Sequence, residues 1–270
     1  MSSLQEVAYA KINLALHVRA READGYHRIE TVFAFCEDGD RLRVEPGEGL
    51  SLAITGPFAD ALAGEEDNLV LRAARALKER YRIAAGARLL LDKRLPVAAG
   101  LGGGSADAAA ALRLLARWWS IEAGEDALRD IAANLGADVA ACLASRAARG
   151  ERRGDRLSAL GENLGGTPAL LVNPGVPLST ADVFRAWDGI DRGPLGDWRT
   201  GRNDLETPAT RLVPEIAEVL GALSGATLAR MSGSGATCFG LYESEAERDA
   251  ASARIAAAHP GWWLLPTRLR

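Results

Sequence analysis

Four glycines crowd into five positions, Gly100, Gly102, Gly103 and Gly104, and then the chain runs from Ala106 to Trp119 without another glycine or proline. Ahead of them, Ala87 to Leu91 reads as a strand that leads through Lys93, Arg94, Leu95 and Pro96 into the loop. Glycine lacks a Cβ, so backbone N–H groups can turn toward a ligand at close range. A helix that begins just beyond such a loop adds its own unpaired N–H groups and the positive end of its dipole. Strand, loop and helix together predict a phosphate-binding element.

The known phosphate loops differ in their side chains. A P-loop needs Lys then Ser or Thr after its last glycine, whereas Gly104 is followed by Ser105 and Ala106. The dinucleotide pattern finds Gly100 and Gly102 but Ser105 in place of the third glycine, with no acidic residue evident after the next strand. The H-R-D and D-F-G signatures of protein kinases are absent. On the loop alone, a glycine-rich surface turn before a helix remains an alternative.

The chain around the loop reads as alternating strands and helices. Residues 6–18 alternate as a strand that carries Lys11 and Asn13 on one face. Residues 27–37 and 40–45 are predicted as two strands joined by Asp38 and Gly39, and 50–55 as another. Asn68 can cap a helix from Leu69 to about Tyr81. A further helix covers 125–135. Five arginines and five glycines from Ser145 to Gly166 predict a linker, which sets the expected domains at 1–155 and 156–270. Beyond it, strands at 169–173, 227–231, 236–242 and 262–269 alternate with helices at 180–187, 214–223 and 245–258, an α+β pattern.

A net charge of −4 argues against a broad nucleic-acid surface, so no nucleic-acid partner is expected. No apolar run approaches the roughly 20 residues of a membrane span, so no membrane partner is expected either. Cys36, Cys142 and Cys238 lie in apolar stretches without metal-ligand spacing and predict buried thiols in a reducing cytoplasm.

The stretch from Pro96 to Ala106 resembles the P-x-x-x-G-L-G-[GS]-[GS]-S-[AS] loop of the GHMP kinases. Tyr9 to Leu14, Gly136 to Val139 and Met231 to Ala236 are similar to that family's other three motifs, in the same order. Asp24 to His27, Val172 to Val176 and Asn203 to Glu206 resemble more narrowly the members that act on a cytidine-diphosphate-linked methylerythritol. The likeness spans about residues 8 to 242. One departure is Ala140, where the family usually has proline; it could loosen the turn beside Asp138.

This resemblance implies a two-domain α+β fold. An N-terminal ATP-binding α/β domain would hold a left-handed β-α-β unit, and a ferredoxin-like domain would follow, with the substrate cleft between them. It implies ATP and Mg²⁺ as cofactors, a small-molecule alcohol as partner (CDP-methylerythritol), and a monomer or weak homodimer. Asp138 would accept the proton of the attacking hydroxyl, and Lys11, within ion-pair reach of it, would act on the alkoxide and the transferring phosphoryl. The backbone of Pro96, Val97, Ala98, Ala99, Gly100, Leu101, Gly102, Gly103, Gly104, Ser105 and Ala106 would cradle the triphosphate. Ser105, at the helix start, would touch a phosphate or Mg²⁺ and doubles as a plain N-cap. Asn68 would touch adenine, and Lys93 with Arg94 would flank the ATP. Tyr26 and Phe184 would sandwich the cytosine, His27 would read its edge, and Asn13 and Thr180 would hold the methylerythritol hydroxyls. The alternatives are a GHMP kinase for another alcohol, such as homoserine or mevalonate, and an idle nucleotide-binding module.

Overall fold

The computed structural model describes residues 4–64, 67–122 and 124–270. By internal contacts the chain forms two compact units, each assembled from separate stretches. The first holds residues up to Ala10, then 38–97 and 102–145; the second holds 11–37, 98–101 and 146–270. Two long strands, β1 (Leu4–Arg21) and β2 (His27–Glu45), run through both units.

β2 is continuous where two strands were expected. Asp38 and Gly39 make no turn there. A Cβ on Gly39 would stand 1.9 Å from the Ala8 carbonyl oxygen, so glycine is required by close backbone approach and not by chain reversal.

In the first unit, residues 41–45 of β2 pair antiparallel with β4 (Ala87–Asp92), and β4 pairs parallel with β3 (Leu50–Thr55). The helix α1 (Leu69–Arg80) connects β3 to β4, which makes a β-α-β unit. Its buried residues Val70, Ala73, Ala74 and Leu77 fall at helical spacing. α2 (Gly103–Trp118) packs against α1 and against α4 (Ala137–Ala144), while α3 (Glu125–Leu135) packs on α4. Ala106 and Ala108 to Ala111 are all buried in α2, so small side chains admit neighbours on more than one face.

In the second unit, residues 29–33 of β2 pair antiparallel with β5 (Ala148–Arg152), and β5 pairs with β6 (Arg156–Ala159). The arginine-rich stretch is therefore a hairpin and not a linker. Arg149 donates to the carbonyl oxygens of Leu195 and Gly196 at 2.6 Å each.

A separate antiparallel sheet is ordered β10 (Trp263–Arg268), β7 (Pro168–Asn173), β9 (Cys238–Leu241), β8 (Leu228–Met231). The short helices α5 (Thr180–Arg185), α6 (Glu206–Leu212) and α7 (Glu215–Ala222) separate β7 from β8, and α8 (Glu245–Ala258) separates β9 from β10. This β-α-β-β-α-β order is the ferredoxin-like arrangement. Leu170, Val172, Ile216, Val219, Met231, Cys238 and Ile255 lie in its buried cluster. All three cysteines are buried free thiols. No helix among the described residues is long and apolar enough to cross a membrane.

Candidate active site

The glycine loop leaves β4 and enters α2. Ala98, Gly100 and Gly102 have φ of 53°, 77° and 63°, so every second residue is left-handed. Left-handed residues in alternation are the backbone pattern that can turn successive N–H groups toward an anion. Positive φ at Ala98 is uncommon for a residue with a Cβ.

α2 begins at Gly103, three residues earlier than a Ser105 cap requires, and Gly102 caps it without a side-chain bond. Ser105 is thus the third helical residue, which corrects its reading as the N-cap. The amide of Ala106 bonds back to Gly102 at 2.8 Å, whereas those of Gly103, Gly104 and Ser105 precede any intrahelical acceptor. Asn68 does cap α1: its Oδ1 accepts from the Val70 amide at 2.9 Å. The Leu69 side chain, next in the chain, lies 3.7 Å from where a Gly104 Cβ would stand.

Lys93 departs from the flanking charge expected of it. Its side chain is only 2% exposed, and its ammonium bonds Asp40 at 2.5 Å and Asp107 at 2.7 Å. The Asp40 Oδ1 in turn accepts from the amides of Arg94 and Leu95, at 2.5 and 2.8 Å. Arg94 is exposed and faces Asp92.

Residues 98–101 are anchored within the second unit. Ser232 Oγ donates to the Gly100 carbonyl at 2.9 Å, and the Thr237 amide donates to Ala99 at 3.2 Å. A Cβ at Gly100 would meet the Ser232 carbonyl oxygen at 2.3 Å. The turn behind this contact is tied by Asn203, whose Nδ2 donates to Met231 and Gly233 at 2.8 Å each, while its Oδ1 accepts from Leu205. Asn203→Ala is expected to cost at least about 1–3 kcal/mol, because buried polar groups lose their partners. A urea midpoint equal to that of the parent chain contradicts this.

Lys11 is buried, at 4% exposure, which excludes a solvated strand lysine. Its ammonium donates to Asn13 Oδ1 at 2.9 Å and lies 5.6 Å from the Phe33 ring centre. The Asn13 amide nitrogen donates to Thr31 Oγ1 at 2.8 Å. Asp138, in the other unit, is the second residue of α4 and half-buried. A carboxylate in a first helical turn is favoured by the dipole. The helix continues through Ala140, so the turn is intact without the usual proline.

His27, Phe184 and Trp187 form an aromatic cluster: the His27 ring lies 4.7 Å from Phe184 and 5.6 Å from Trp187. Burial, and then the nearby Arg21, lower the pKa of His27, so the ring is neutral at pH 7 and suited to reading a base edge by hydrogen bonds. Tyr26 is 59% exposed, and the Arg153 guanidinium lies 4.0 Å from its ring centre and also pairs with Asp24. The structure therefore brings Phe184 to His27, while the partner of Tyr26 is Arg153. Sequence reasoning missed Trp187 and Arg153; the signal for Trp187 is its position three residues after Phe184. Thr180 opens α5 and shares a 2.8 Å hydrogen bond with Ser234.

Residues 68–146 match the family described as GHMP kinases N terminal domain, and residues 188–261 match GHMP kinases C terminal. The chain is 59% identical to the 4-diphosphocytidyl-2-C-methyl-D-erythritol kinase of Rhizorhabdus wittichii, over 98% of this chain and 94% of that one. It is 50% identical to the enzyme of the same name from Sphingopyxis alaskensis, over 100% and 99%. A crystal structure of 4-(cytidine 5'-diphospho)-2C-methyl-D-erythritol kinase superposes with a TM-score of 0.84 at 37% identity, covering 98% of this chain and 99% of that one.

Proposed function

Since this chain belongs to the GHMP kinases, and within them to the 4-diphosphocytidyl-2-C-methyl-D-erythritol kinases, we propose that it transfers the γ-phosphoryl group of ATP to the 2-hydroxyl of that cytidylyl alcohol, a step of non-mevalonate isoprenoid synthesis. The observation that carries this reading is the left-handed alternation at residues 98, 100 and 102, followed at once by the start of α2, which no side chain caps. Such a surface of N–H groups suits a triphosphate.

In this reading the acceptor hydroxyl gives its proton to Asp138 while its oxygen attacks the γ-phosphorus. The bond from that phosphorus to the β,γ-bridging oxygen breaks, and ADP leaves. Lys11 stabilises the charge developing on the attacking oxygen and the transferring group. The backbone of residues 96–106 holds the triphosphate, with Asn68 at the adenine. Tyr26, His27 and Phe184 bind the cytosine, and Asn13 and Thr180 bind the methylerythritol hydroxyls. Lys93 serves the nucleotide through the loop whose entry it helps to fix.

Mg²⁺, as the usual companion of ATP, would neutralise phosphate charge. The described residues hold no cluster of three or more metal-binding side chains, and Asp40 and Asp107 are turned to Lys93. Ser105 is the oxygen donor the loop itself offers, so the ion fits here as one carried by the phosphates. By sequence we take 1–155 as the ATP-binding part and 156–270 as the substrate part; the two family matches fall on either side of residue 155, which itself lies in the β5–β6 hairpin of the second unit. The enzyme acts in the cytoplasm as a monomer or weak homodimer, without a nucleic-acid or membrane partner.

ADP release measured with the cytidylyl alcohol, homoserine and mevalonate tests the assignment. Turnover with the first alone is expected; turnover with either of the others, or with none, defeats it. Phe184→Ala is expected to raise the KM for the cytidylyl substrate about 5- to 150-fold, the loss of one stacking contact of about 1–3 kcal/mol. The KM for ATP stays as it was. An unchanged KM for the cytidylyl substrate removes Phe184 from the base site.

A further inference from the structure

Residues 188–202 join Phe184 and Trp187 to Asn203 and contain neither helix nor strand. An irregular connection of that length is uncommon inside a compact domain and usually serves a function. Without a ladder of its own, this strap gives its backbone groups to side chains from elsewhere. His17 of β1 holds it at two points: Nδ1 donates to the Gly193 carbonyl at 3.1 Å, and Nε2 accepts from the Arg202 amide at 3.3 Å. Arg19 of β1 forks onto Asp191 at 2.8 and 3.1 Å and donates to Glu30 of β2 at 2.6 Å. The other Glu30 oxygen accepts from the Leu195 amide at 2.6 Å. Arg149 takes the Leu195 and Gly196 carbonyls, and Arg230 those of Trp198 and Arg199. All of these residues belong to the second unit.

Three of the gripping side chains share one origin. His17, Arg19 and Glu30 stand on β1 and β2, the paired strands whose connection presents Tyr26 and His27. Phe184 and Trp187, which meet the His27 ring at 4.7 and 5.6 Å, stand on the chain just ahead of the strap. The two halves of the aromatic cluster are therefore joined twice, once by ring contact and once through the strap. His17 is buried, at 3% exposure. A carbonyl faces its Nδ1 and an N–H faces its Nε2, so the ring is the neutral Nδ1–H tautomer. Burial, the main influence on it, lowers its pKa in keeping with that form. A binding group works well only when its neighbours hold it to within about 0.5 Å.

We propose that His17 and Glu30 are positioning residues for the cytidylyl base: through the strap they hold Phe184 against His27. The inference rests on the cytosine reading of Phe184 above. Both residues act on the strap and not on the substrate itself.

Steady-state kinetics of His17→Phe and Glu30→Gln test this. Phenylalanine fills the space of the imidazole and loses both of its bonds. Glutamine keeps the size of Glu30 but offers one acceptor oxygen to two donors. In each variant the KM for the cytidylyl substrate is expected to rise about three- to thirtyfold, part of what a stacking contact supplies. The KM for ATP and kcat stay as they were. A merely structural role lowers the folded fraction, so kcat per mole of protein falls and both KM values hold; that result overturns the proposal. In a Phe184→Ala background the two substitutions are expected to add nothing to the KM for the cytidylyl substrate, because the group they position is gone. A further rise of the same size overturns the proposal as well. If His17→Phe does not fold, Glu30→Gln, at a quarter-exposed side chain, decides on the same readouts. Normal parent turnover with an unchanged KM in the variants defeats this inference alone. Absence of parent turnover with the cytidylyl alcohol defeats it together with the reading it rests on.

Discussion

Asp138→Asn is expected to lower turnover about 10²- to 10⁴-fold, the usual range for a lost general base and so for the role proposed for Asp138, while Mg-ATP still binds. Asparagine keeps the shape of the side chain at the start of α4 but cannot accept the hydroxyl proton. Stability changes little, because a half-buried carboxylate in a first helical turn contributes about 0.3–1 kcal/mol through the dipole. Calorimetry with Mg-ATP and a thermal melt check that the nucleotide site and the fold survive. A folded Asp138→Asn protein with parental kcat removes the proton-transfer role, and any remaining catalysis would then rest on charge stabilisation by Lys11 and the loop.

Lys93→Met costs about 3–5 kcal/mol of stability, the range for removing one member of a buried ion pair. Methionine fills the space but leaves Asp40 and Asp107 facing each other without the ammonium that joins them. In a chain of this size the loss lowers Tm on the order of 10 °C. Lys93→Met combined with Asp107→Asn recovers part of it, because one of the two carboxylates is gone. The urea midpoints of the single and double variants decide. A single variant as stable as the parent shows that the cluster contributes nothing net, and a double variant no better than the single shows that packing, not charge, is what Lys93 supplies.

The parts of the fold legible in sequence are those governed by local rules. The apolar spacing and Asn68 cap of α1, the stop of α3 at Gly136 and the Ser244-capped α8 all follow from side chains within a few residues. Errors arose where a residue serves a distant partner. Gly39 looks like half of a turn but makes room for the Ala8 carbonyl. Arg149 and Arg153 look like linker charge but reach Leu195, Gly196, Asp24 and the Tyr26 ring. Ser105 looks like a cap because serine favours that place, yet the left-handed Gly102 starts the helix sooner. In the candidate site, the loop and its helix were readable as a phosphate element. The Lys93 cluster was not, since Asp40 lies 53 residues away along the chain. The His27–Phe184 contact was equally hidden, because it joins a strand start to a helix made far later.

The division of both units into separate stretches bears on how the molecule is made. Residues 11–37 leave the ribosome early, yet apart from 98–101 the rest of their unit begins at Arg146, so Thr31 waits for Gly150 while more than a hundred residues are added. At roughly 5–20 residues per second, that wait is on the order of ten seconds. Through it, a newly made segment holding Val32, Phe33 and Phe35, all interior in the finished protein, stays without those of its neighbours that lie beyond Arg146. Translation speed and chaperone supply therefore bear on the yield of this protein more than on that of a chain whose halves close one after the other.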